Sequence, residues 1–252
     1  MAGSEAVISI RPLLDLSDFS EAVKLQQCVW GFEDRDVVPL PLFVVAAKTG
    51  GQAFAAYDGH HMVGFCLAFA GVKPDSRVFL HSHMLAVLPA YRDAGLGRQL
   101  KLHQREDGLA RGIDLVEWTF DPLEIKNAFF NIERLGAIVR QYDDNEYGET
   151  SSPLHEGLPT DRCVAEWWLA SERVEAVLAG RRPEAGVDER IAVPAEIEQL
   201  RRDNPKRARE IQRANGERFR ECFERGLAVI GFERSTAGGT YLLGPWPPAL
   251  PL

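Results

Sequence analysis

The chain has 252 residues, enough to bury one substantial core or a core with a smaller appendage. Hydrophobic residues at 45% and charged residues at 26% are globular values, which excludes a disordered chain or a fibrous repeat. A formal charge of -8 argues against a sequence-independent grip on nucleic acid, which needs a basic surface.

No apolar run approaches the roughly 18 to 20 residues of a membrane helix. Met1-Ala2-Gly3-Ser4-Glu5 lacks the basic and apolar regions of an export signal, so the expected location is cytoplasmic, with neither membrane nor nucleic acid as a partner. Cys28, Cys66, Cys163 and Cys222 are far apart and form no C-x-x-C or Cys/His cluster. They read as free, mostly buried thiols, and no metal site is expected.

In chain order, a short strand near Val7 to Arg11 precedes a helix from about Asp18 to Cys28, with Ser17 as its N-cap. Trp30 to Pro41 reads as a loop, and a second helix runs from Leu40 to Lys48, closed by Gly50-Gly51. Three strands follow, Ala53 to Tyr57, Met62 to Gly71 and Val78 to Val87. Asp58-Gly59 and Lys73-Pro74-Asp75-Ser76 supply their turns, so an antiparallel meander is expected.

A helix from Gly95 to Arg111, a strand from Leu115 to Phe120 and a helix from Glu124 to Leu135 come next. Strands near Ala137 to Tyr142 and Arg162 to Ala170 flank a long polar loop. The composition break at Gly180 to Asp188 suggests a boundary, dividing the chain into 1–180 and a C-terminal extension, 181–252. In the extension, Ile191 to Val193 reads as a strand, Ala195 to Arg202 and Lys206 to Arg225 as helices, and Leu227 to Leu243 as a hairpin turning at Ala237-Gly238-Gly239. Ala208, Ile211, Asn215, Phe219, Cys222 and Phe223 give the long helix an apolar stripe, to be buried on the rest of the chain or on a second subunit, so a homodimer is a possible state.

The strand Val78 to Val87 leads through Arg92-x-x-Gly95-x-Gly97 directly into a helix. Glycines let backbone approach a ligand, and a helix N-terminus offers unpaired N–H groups and a positive dipole end, so the segment suits a pyrophosphate. Arg98, Lys101 and Arg105, on one face of that helix, would add local positive potential. By itself the pattern also fits a plain tight turn.

The longer run Leu85-Ala86-Val87-x-Pro89-x-Tyr91-Arg92-x-x-Gly95-x-Gly97-Arg98 closely resembles the coenzyme A signature of the GNAT superfamily, and the element order from Val7 to Ala170 matches as well. The resemblance implies an α+β fold, a mixed and mostly antiparallel central sheet flanked by helices, here with a C-terminal α/β extension. It implies acetyl-CoA or another acyl-CoA as co-substrate, held at the pyrophosphate by backbone amides of Gly95, Leu96, Gly97 and Arg98 with Arg92 beside them. Leu85 and Val87 would lie where the family pairs strand backbone with the pantetheine arm and the thioester carbonyl.

Strict alternation along the strand places His81 and His83 on one face, the same as Leu85 and Val87. A histidine of ordinary pKa, near 6.5, is a suitable base for an amine acceptor, and would give a rate that rises with pH through that range. The run His-x-His-x-Leu-Ala-Val also resembles the base-bearing strand of arylalkylamine N-acetyltransferases. The same histidines fit a purely structural role in a half-buried strand.

Where many family members carry an acid tyrosine, four residues before Gly136, this chain has Ile132. Tyr142 or Tyr147 would replace the acid, or the thiolate would leave without one. Asn127 and Asn131, one turn apart, are candidate coenzyme A contacts, and Trp30, Arg35, Glu117 and Asp121 are candidate acceptor selectors. The function expected is acyl transfer to a small-molecule amine, with a free amino acid as one candidate, by direct attack in a ternary complex. The alternative is a non-catalytic acyl-CoA-binding sensor or scaffold.

Overall fold

The computed structural model describes residues 8–148, 157–184 and 186–246. They fall into two compact units, one up to Val116 and one from Glu117 onward. The fold is α+β, with mostly antiparallel strands and seven α-helices among the described residues.

The first unit contains β1 (Ile8–Pro12), α1 (Leu16–Trp30), α2 (Leu40–Lys48), β2 (Gln52–Asp58), β3 (His61–Val72), β4 (Val78–Val87), a 3-10 turn at Pro89–Tyr91 and α3 (Leu96–Ala110). Strands β1 to β4 lie side by side in chain order, each antiparallel to the next, which is the expected meander. Helix α1 starts earlier than expected. Asp15 rather than Ser17 is its cap, accepting from the Asp18 amide at 2.9 Å, while the Ser17 hydroxyl donates to Asp15.

Alternation along β2 to β4 gives the meander two apolar faces. Phe65, Leu67, Met84 and Ala86 pack with Phe19 of α1 and Phe43 of α2. Phe54, Val63 and Cys66 pack with Leu96 and Leu100 of α3. The sheet is therefore buried on both sides, as its near-continuous apolar strands require.

The second unit contains most of β5 (Leu115–Phe120), then α4 (Ile125–Phe129), a π-helical turn (Phe130–Arg134), β6 (Ile138–Asp143), β7 (Arg162–Trp168), α5 (Glu172–Leu178), β8 (Glu189–Pro194), α6 (Ile197–Asp203), α7 (Pro205–Glu224), β9 (Leu227–Ser235) and β10 (Gly238–Pro245). Its strands run in the order β5-β7-β6-β9-β10-β8. Helix α5 has no counterpart among the expected elements. Ser171 caps it by accepting from the Val174 amide.

The boundary expected at 180/181 falls inside this unit, because β9 from the C-terminal segment lies beside β6, with Val229 opposite Val139. The apolar stripe of α7 is covered within the unit. Phe219 is fully buried, stacked on Tyr142 at 5.6 Å and edge-on to Tyr241 at 5.0 Å. Gly216 permits that approach, since a Cβ there would stand 2.9 Å from the Tyr142 ring. The stripe needs no second subunit. The β9–β10 hairpin turns at Thr236-Ala237, one step earlier than expected, with Ser235 opposite Gly238 inside the ladder.

Candidate active site

The turn before α3 is built by local sequence. Pro89 starts the 3-10 turn, the Tyr91 hydroxyl ties it to Asp58 of β2 at 2.7 Å, and Arg92 Nε donates to the Val87 carbonyl at 3.2 Å. Gly95 is the N-cap of α3 at φ 78°, a left-handed conformation that favours glycine. Gly95 has no side chain with which to cap this end, and no acidic residue lies in the first turn. The N–H groups of Leu96, Gly97 and Arg98 belong to the turn of a helix that has no intrahelical acceptors for them, and the dipole there favours an anion.

Gly97 has a different reason from Gly95. A Cβ at Gly97 would meet only Leu85 and Val87 at 3.8 and 4.0 Å, ordinary contact distances. The protein's own packing therefore does not require glycine at that position.

Strand β4 departs from strict alternation. Leu67 pairs with Met84 but Ala68 pairs with Ser82, so β4 carries one extra residue, His83, opposite β3. A one-residue slip exchanges faces. Before it, Leu85 and Val87 face α3. Beyond it, Ser82 turns to α3, where its hydroxyl accepts from Lys101 Nζ at 2.8 Å. His81, opposite Phe69, turns to the α1/α2 side.

His83 stands 5.6 Å from the Phe69 ring and 5.9 Å from His81, ring centre to ring centre. The histidines are thus brought together as expected. Their shared face is the one away from Leu85 and Val87, which corrects the expectation from alternation.

Both imidazoles are held neutral. Burial draws His81 down to about 4, helped by the like charges of His83, Lys101 and Lys73. His83 keeps an exposed edge, yet the protein bulk around it also lowers its pKa. Each is unprotonated at pH 7, the state a base requires. The pH-rate limb expected near 6.5 moves down accordingly. Lys101 is a further correction: it is 2% exposed, aimed at β4, and shares no open face with Arg98 and Arg105.

In the second unit, Asn127 is exposed on α4 while Asn131, in the π-helical turn, is 4% exposed. The wider turn, with the Leu135 amide bonded to the Phe130 carbonyl, places the two asparagines in different surroundings. Ile132 is fully buried. Tyr142 is not a workable acid: burial, then its bond to Asp161 at 2.7 Å, pushes its pKa far up. Tyr147 is 47% exposed, its hydroxyl 2.7 Å from Thr119 Oγ1.

The selectors divide. Trp30 stacks on Phe32 and packs edge-on against Phe65, and Arg35 pairs with Glu33 on the surface. Asp121 accepts from the Leu123 amide and from Arg201 at 2.8 Å, so it is held in a buried ion pair. Glu117 is 8% exposed. The loop beyond Gly148 lies outside the described residues. Cys66 and Cys163 are buried with their thiols pushed up, Cys66 to about 12, so neither is suited to act as a nucleophilic thiolate.

Residues 17–136, a little under half of the chain, match the family model described as Acetyltransferase (GNAT) family. Solved structures share the fold. A GNAT-family acetyltransferase structure from Desulfovibrio desulfuricans matches with TM-score 0.52 at 17% identity, over 65% of this chain and 100% of that one. The ribosomal-protein-S18-alanine N-acetyltransferase of Escherichia coli matches with TM-score 0.50 at 20% identity, over 66% and 97%. The NatC complex bound to Gag peptide and CoA matches with TM-score 0.50 at 17% identity, over 63% and 96%. No curated protein matches the chain. Among the described residues, no helix is long and apolar enough to cross a membrane.

Proposed function

We propose that the protein transfers an acyl group, acetyl in the simplest case, from acyl-CoA to the amine of a small molecule by direct attack in a ternary complex. The backbone amides from Gly95 to Arg98 take the pyrophosphate, with Arg92 beside them, and the β4 backbone at Leu85 and Val87 takes the pantetheine arm. His81 or His83 removes the acceptor's proton.

The observation that carries this reading is one strand holding two adjacent neutral imidazoles and leading through a short turn into a helix N-terminus whose cap is a glycine. Attack by an amine nitrogen on the thioester carbon expels coenzyme A thiolate, so one proton must leave the nitrogen and one must reach the sulfur. A neutral imidazole accepts the first. The net charge of -8 favours accumulation of cationic amines near the protein. A peptide N-terminus is the second acceptor class, favoured by the E. coli enzyme's named substrate, a ribosomal protein alanine.

The test is thiol release from acetyl-CoA against pooled small amines and pooled N-terminal peptides, with the native protein and His81→Gln/His83→Gln. The expected result is turnover on a small amine that falls about 100-fold or more in the double variant, with thioester binding retained. Turnover preserved in that variant returns both histidines to a structural role. Binding without transfer to any acceptor favours the sensor reading, to which the buried Ile132 in place of a tyrosine already lends support.

A further inference from the structure

Lys101 is a buried titratable group that the proposed reaction does not use. It lies on the inner face of α3, and its Nζ donates to Ser82 Oγ at 2.8 Å and to Gln104 Oε1 at 3.1 Å. Burying an ammonium is costly, and an apolar side chain of similar length would fill the same space at less cost. The surrounding polar groups are not all satisfied: Gln104 Nε2 and Gln52 Oε1 are buried without hydrogen-bond partners among the described residues, while Gln52 Nε2 donates to the Gln104 carbonyl and to Asp107.

What the lysine does is seen in its partner. Ser82 sits between the two histidines, immediately beside the extra residue His83. With strict alternation Ser82 would face away from α3 and His81 would face toward it. Lys101 Nζ bonds Ser82 on the α3 side, and His81 points the other way, next to His83.

We propose that Lys101 is a positioning residue for the histidine pair: by holding Ser82 against α3 it keeps β4 slipped at His83 and sets His81 beside it. Its charge acts in the same direction, since the ammonium opposes protonation of His81. The titratable neighbours that bear on this are His81 and His83 on β4, Cys66 on β3, Asp107 on α3 itself and Lys73 in the β3–β4 turn. The consequence for turnover rests on the base reading above, whereas the positioning does not.

The test uses the full chain with Lys101→Met, Ser82→Ala and both together. The imidazole titrations of His81 and His83 and the magnetisation transfer between their rings are followed by NMR in the ligand-free protein. In Lys101→Met the His81 midpoint is expected to rise, because a neighbouring positive charge is gone. In Ser82→Ala the contact between the two rings is expected to weaken while the lysine remains.

Turnover is expected to fall about 10- to 100-fold in either variant with the KM for thioester little changed, the scale of a misplaced catalytic group. The double variant should be no worse than the poorer single one, because both break one link. A folded Lys101→Met with an unmoved His81 midpoint and native turnover overturns the proposal. If Lys101→Met does not fold, Ser82→Ala decides, and a native ring contact there overturns it. A weakened ring contact with undiminished turnover upholds the positioning and sinks the base reading instead.

Discussion

The turn at Arg92–Arg98 and the strand at His81–Val87 are adjacent in the chain and formed by opposite means. The turn is local. Pro89 sets its entry, Gly95 supplies the left-handed residue, and the N–H groups that would meet a phosphate exist because a helix starts there. The strand is not local. Which way each histidine points depends on pairing with β3 and on a lysine in the next helix. Backbone sites tolerate much variation in side chains, whereas a site made by register is lost if one distant contact shifts.

The largest effect expected from this contrast is on stability, at Lys101. Burial lowers its pKa from 10.5 to about 7. Between those values the unfolded chain holds a proton that the folded chain lacks, so this group's contribution to stability rises with pH from about 7 to 10.5 and is lost below. Chemical denaturation of the native protein and Lys101→Met across that range should differ in slope, by an integrated amount on the order of 5 kcal/mol. Parallel curves would show that the lysine is not buried as described.

At the turn, Gly97→Asp places a carboxylate where the pyrophosphate is proposed to bind. Acetyl-CoA at 100 times its Kd stabilises by about 2.7 kcal/mol, and the thermal shift this gives should vanish in the variant. A retained shift in a folded Gly97→Asp would end the assignment of this turn to coenzyme A.

The strand has its own signature in pH. If His81 is the base, drawn down to about 4, it is already unprotonated at neutral pH, so its limb of kcat/KM should lie well below 6 and the profile from pH 6 upward should reflect the acceptor amine. The pair will titrate as a unit, with apparent values belonging to both rings. A limb near 6.5 in the native enzyme would mean that the histidines are less buried than the fold places them.

The smallest effect separates the two glycines. Gly95→Ala forces a left-handed alanine and should cost about 1 to 2 kcal/mol, measured by denaturation. Gly97→Ala finds space for its Cβ and should leave stability within about 0.5 kcal/mol, while weakening thioester binding. Equal costs at both positions would show that the turn, like the strand, depends on tertiary packing.

The sequence by itself determined the meander, because Asp58-Gly59 and Lys73-Ser76 punctuate three apolar runs, and it determined the helix start after Gly95, because glycine and proline act on the backbone within a few residues. Set beside the family it resembles, it also showed Ile132 four residues before Gly136, where that resemblance implies a tyrosine. It did not reveal α5, although Ser171 followed by Glu172 offered a capping signal. Only the tertiary structure decided the face of His81, since period-two alternation cannot show an inserted residue that exists only relative to a partner strand. It alone put β9 beside β6 and Phe219 on Tyr142, joining the C-terminal segment to one unit with the strands before it, because apolar stripes state that they must be covered and not by what. And it alone turned Lys101 from a surface charge into a buried one, because the direction of a helical residue follows from where the helix lies, which no local pattern contains.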